Sequence, residues 1–174
     1  MKRNSQQLQY LVQAAMIAAL YTVLTLLAAT MNLAYGPVQF RFSEALTLLP
    51  VFTPAAIPGL AVGCLLSNIW SGYGVPDMVL GTLATLLAAI VTRQLRNLRI
   101  KNIPFLAPLP PVLFNAVIVG LELAVLSTQG FSWAGFWAAA LSIGAGELVI
   151  CYGLGLPMTA ALQKVEEKRK IFLV

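Results

Sequence analysis

The sequence reads as an all-α integral membrane protein, a six-helix transmembrane bundle. Composition argues for this first: of 174 residues 59% are hydrophobic and 10% charged, with a mean hydropathy of +0.84. Soluble domains carry roughly 25% charge and 45–50% apolar residues, and a soluble core would leave much of this apolar surface in water. Charge placement argues for it second. Lys2 and Arg3 open the chain, Arg93, Arg96, Arg99 and Lys101 form one cluster, and Lys164, Lys168, Arg169 and Lys170 form another, leaving Arg41 alone among the 11 basic residues. Such clusters between apolar stretches follow the positive-inside rule and exclude a nucleic-acid footprint.

The elements are taken in chain order. A spanning helix needs about 20 apolar residues, and residues 11–31 supply the first. That stretch is long and lacks a small-residue cleavage site, so it is read as a retained helix and not a signal peptide. Residues 44–72 are apolar but carry Pro50, Pro54, Pro58 and Gly59. A single span there would put the basic N-terminus and the 93–101 cluster on opposite sides. Splitting it at Pro58-Gly59, into 44–57 and 59–72, puts both on one side. Each half is only ~21 Å long at 1.5 Å per residue, so a re-entrant pair has the same parity. Residues 78–92, 108–127 and 133–162 complete the set. The expectation is one transmembrane domain over 1–174, multi-pass in the cell membrane, with both termini cytoplasmic. Cys64 and Cys151 lie in apolar stretches, which suggests neither a disulfide nor a zinc site.

In this orientation 32–43, 71–77 and 128–132 face outward. Trp70, Trp133 and Trp137 gather near that side, as do Arg41, Glu44, Asp77 and Glu122, and an outward-facing binding surface is expected. Glu147 is the sharpest candidate. An intramembrane carboxylate costs roughly 2.5–3.5 kcal/mol on insertion scales and normally faces the protein interior. Spacing suggests that Trp137, Ala140, Gly144 and Glu147 share a face. Asn115 and Glu122, seven residues apart, are also expected on one face. For Glu147, Asn115 and Glu122 the alternative is plain interhelical hydrogen bonding.

Arg41 and Glu44 have a complete structural account: Ser43 suits a helix N-cap, Glu44 the positive end of the dipole, and Arg41 can pair with Glu44. Asp77, after Pro76, suits a first turn. Trp133 and Trp137 fit an aromatic belt or stacking on a flat ligand, and Asn68 places an amide near them. In the first helix Ala14, Ala15, Ala18 and Ala19 form two overlapping small-residue pairs that allow close helix approach. Gly59 and Gly63 form another.

With no histidine in the chain, the usual general base and metal ligand are missing. No phosphate-binding loop motif occurs, and no inverted repeat is evident. Neither an enzyme nor a cofactor or metal protein is expected.

The stretch Tyr35-Gly-Pro-Val-Gln-Phe-Arg-Phe-Ser-Glu-Ala-Leu-Thr-Leu-Leu-Pro50, following an alanine-rich first helix, resembles the QueT family of queuosine-precursor transporters. These are substrate-binding (S) components of energy-coupling factor (ECF) transporters, and the likeness runs along nearly the whole chain. The resemblance implies the S-component fold and capture of a deazaguanine queuosine precursor from outside the cell. It also implies delivery through a transmembrane T component driven by two ATPases, with Ala14, Ala15, Ala18 and Ala19 docking on the T component.

The residues suit such a ligand. A carboxylate accepts the paired N–H donors of a guanine-like edge, and an aminomethyl cation needs a second acid. Glu147 and Glu122 could divide these tasks, with Asn115 or Asn68 at the ring carbonyl, Trp133 or Trp137 stacking, and Arg41 near the same surface. Rival readings are an S component for another vitamin-like aromatic, an autonomous proton-coupled carrier using Glu147 and Glu122, and an assembly subunit without a ligand.

Overall fold

The computed structural model describes residues 2–35, 39–100, 103–169 and 171–172. Residues 36–38, within the 35–50 stretch, and Lys101 and Lys170 of the basic clusters, lie outside the described residues. Six helices make up the described chain, and no β-strand forms among those residues: α1 (Lys2–Thr30), a 3-10 helix (Phe42–Val51), α2 (Ala56–Asn68), α3 (Val75–Gln94), α4 (Leu109–Val125) and α5 (Trp133–Arg169). Three stretches are long and apolar enough to cross a membrane, Asn4–Thr30, Val75–Asn97 and Trp133–Arg169. The fold is that of an all-α membrane bundle.

Local chemistry accounts for the ends. Pro76 stands in the first turn of α3 and Pro110 and Pro111 in that of α4, where a missing N–H has no intrahelical acceptor to lose. Ser132 caps α5, its hydroxyl accepting from the Gly135 N–H at 3.0 Å. Two π turns interrupt the regular winding, Asn115–Val119 within α4 and Cys151–Gly155 within α5.

The apolar run from 44 to 72 is divided, but earlier than Pro58-Gly59. The break lies between Val51 and Ala56, around Pro54, and Pro58 falls inside the first turn of α2. A proline there forfeits no helical hydrogen bond, so it starts the helix instead of ending one. The N-cap is also corrected. Arg41 holds the cap position of the 3-10 helix without a side-chain capping bond, while Ser43 is buried and accepts a 2.7 Å hydrogen bond from Thr25.

The 3-10 helix is the centre of the molecule. Ten residues is long for this geometry, in which i→i+3 bonds are poorly aligned; here burial imposes it. Every residue from Ser43 to Val51 is buried, against α1, α2, α3 and α5. Leu48, Leu60 and Tyr21 anchor that core.

Along α1 the small residues separate into two stripes. A Cβ added at Gly59 would lie 2.7 Å from the Ala14 carbonyl oxygen, and one at Gly63 would lie 2.9 Å from that of Ala18. Ala14 and Ala18 are therefore used inside the chain, where backbones touch through the glycines of α2. Ala15 and Ala19, one residue round, are exposed.

Candidate ligand-binding site

Four carboxylates are buried in the bundle: Glu44, Asp77, Glu122 and Glu147, each no more than 3% exposed. They form two groups. Glu44 sits on the first turn of the 3-10 helix and Glu147 in the middle of α5. Tyr21 of α1 donates its hydroxyl proton to Glu44 Oε1. Asn115, the first residue of the α4 π turn, donates to Glu147 Oε1 at 3.0 Å and also lies beside Glu44. The thiol of Cys151, the first residue of the α5 π turn, is 3.5 Å from Glu147 Oε2 and 3.6 Å from the Glu44 carbonyl oxygen. π turns occur often at functional sites because the widened turn re-aims side chains.

The segment carrying Gln39 and Arg41 closes over this group. A Cβ at Gly146 would lie 2.0 Å from the Gln39 carbonyl oxygen, so only glycine permits this approach beside Glu147. Arg41 is buried; its Nε donates to the Ala34 carbonyl at 3.0 Å and its guanidinium lies 5.3 Å from the centre of the Tyr35 ring. The expected pairing of Arg41 with Glu44 is replaced by the Tyr21 bond. Its charge still acts on all four acids.

Asp77 and Glu122 form the second group, at the junction of α3 and α4. Asn68 donates to the Asp77 backbone carbonyl at 2.9 Å, and Glu122 lines a groove with Pro76, the residue before Asp77. Asp77 Oδ2, Asn68 Oδ1 and both oxygens of Glu122 are buried with no hydrogen-bond partner. Glu122 does not share a face with Asn115: it lines a groove with Pro76, Leu80 and Leu83 of α3, while Asn115 meets α5. The intervening π turn explains this, since one extra residue rotates the remainder of the helix by about 100°.

Trp137 does not share the face of Glu147 that its spacing suggests. Trp133 and Trp137 are 68% and 59% exposed and stand with Phe131 and Phe136 in an edge-to-face row whose successive centroids are 5.2, 6.0 and 5.0 Å apart. Ten residues at 100° each leave Trp137 about 80° from Glu147, whereas eleven bring Phe136 within about 20°. Phe136 is accordingly the buried aromatic of that face. Of the sequence candidates, Glu147, Asn115 and Arg41 come together, Glu122 and Asn68 gather elsewhere, and the two tryptophans join neither group. Sequence reasoning misses Glu44, Tyr21 and Cys151 as members of the first group, and explains Asp77 of the second only as a first-turn acid.

Buried acids inside an apolar bundle are a feature of membrane proteins that bind or move polar groups, and here Glu44 and Glu147 are held by neutral donors. A profile of the family described as QueT transporter matches residues 11–164, and the chain belongs to that family. The queuosine precursor transporter QueT of Lactococcus lactis subsp. cremoris (strain MG1363) is 40% identical over 76 residues, which covers 44% of this chain and 44% of that relative. No solved structure matches.

Proposed function

We propose that this chain is the S component of an ECF-type importer, capturing a deazaguanine precursor of queuosine from the outer side of the membrane. A T component and two ATPases would carry the ligand inward, and both termini would be cytoplasmic. The family supports transport, and the observation that carries the ligand reading is the Glu44–Asn115–Glu147 cluster. Its carboxylates and amide suit the paired N–H donors and carbonyl of a guanine-like edge, and Glu44 Oε2 is an open acceptor. In this reading Arg41 and Gln39 cover the ligand, and Ala15 and Ala19 form the stripe left for the T component.

Binding of purified protein to the aminomethyl-deazaguanine precursor, with riboflavin, thiamine and biotin as controls, tests the proposal. Tight binding of the deazaguanine alone supports it; binding of a control instead, or of nothing by folded protein, overturns the ligand assignment. The packing of Glu44 with Glu147 favours one rival, a proton-coupled carrier. Uptake into proteoliposomes driven only by a pH gradient would establish that reading in its place.

A further inference from the structure

The second acid group is not used by the ring-recognition site, and its chemistry is one-sided. Asp77 Oδ2, Asn68 Oδ1 and Glu122 Oε1 and Oε2 are all acceptors, all buried and all without a donor. Buried polar atoms are normally satisfied, and an uncompensated buried acid is strongly destabilising. Arg41 is the buried basic residue among those described, one positive charge for four carboxylates. Glu122 lines a groove of about 480 Å³ with apolar walls from α3 and α4, its carboxylate oxygens buried behind them.

A ligand suited to this place brings several N–H donors and a positive charge on a small head. Among the described residues no three acidic side chains converge as a metal ion's ligand set does, and a neutral amide meets only part of the donor demand.

We infer that Glu122, Asp77 and Asn68 form an ammonium-binding point, separate from the Glu44–Asn115–Glu147 cluster, that selects ligands bearing a primary amine. This rests on the ligand reading proposed above: one group reads the heterocycle and the other reads its cationic substituent.

The test compares two ligands that differ at that substituent, aminomethyl-deazaguanine and its nitrile counterpart. Binding is measured by titration calorimetry on the full chain in phosphatidylcholine nanodiscs, whose headgroups carry no N–H donors. Glu122→Gln, nearly isosteric, is expected to weaken the aminomethyl compound by about thirtyfold or more and to leave the nitrile within twofold. Asp77→Asn should act in the same sense. Equal affinities for the aminomethyl compound in parent and variants would overturn the ammonium point, as would a parallel loss of both ligands. Failure of the unaltered protein to bind either compound would overturn the ligand reading and this inference together. Loss of the aminomethyl preference alone separates the two.

Discussion

The two acid groups differ in how they are furnished. Around Glu44 and Glu147 the fold supplies a phenol, an amide and a thiol, so that among the described residues one carboxylate oxygen is left open there, Glu44 Oε2. Around Asp77 and Glu122 the donor seen among the described residues, the Asn68 amide, is spent on the Asp77 backbone carbonyl, and three carboxylate oxygens and an amide oxygen are open. Both groups lie in apolar surroundings and feel the same arginine, so burial alone does not distinguish them. A site whose donors are built in is pre-organised to orient a polar edge, whereas a site made only of acceptors depends on the ligand for its donors.

The largest effect is expected from breaking the furnished group. Glu147→Gln should weaken binding of the deazaguanine by about 2–5 kcal/mol, for both the aminomethyl and nitrile compounds, because it replaces an acceptor oxygen with an NH2 donor in a desolvated site. Calorimetry checks this, and unchanged affinity would remove Glu147 from the site. Tyr21→Phe deletes the donor to Glu44 and should lower stability by about 1.5–3 kcal/mol, read as a fall in the melting midpoint.

The glycines sharpen the contrast. Gly146→Ala meets the Gln39 backbone, which cannot give without moving the covering segment, so about 1–3 kcal/mol of stability should be lost along with ligand affinity. Gly81→Ala meets the ends of side chains, Asn68 Nδ2 at 2.5 Å and Asp77 Oδ1 at 3.0 Å. Its cost should be smaller, about 1 kcal/mol, and should fall on aminomethyl binding while sparing the nitrile. Least affected in itself is Ala15→Leu on the exposed stripe of α1: stability should stay within about 0.5 kcal/mol and ligand affinity should not change. Co-purification with a T component should nevertheless be lost; if it survives, that stripe is not the docking face.

Much was legible in the chain before any coordinates. Composition and the three basic clusters determined a membrane protein, because insertion energy sums residue by residue and needs no knowledge of neighbours. The prolines between 50 and 58 determined that the apolar run must break, and the rarity of acids and amides within apolar helices singled out Glu147, Glu122 and Asn115. Tertiary structure decided which of these meet. Helix faces rotate by about 100° per residue, so one extra residue in the α4 π turn parts Glu122 from Asn115, and a ten-residue spacing turns Trp137 outward where eleven buries Phe136. Only packing could show that Ala14 and Ala18 are taken up by Gly59 and Gly63, or that a buried 3-10 helix brings Glu44 to Glu147. Such pairings depend on the relative rotation of separate helices, which no local stretch of sequence encodes.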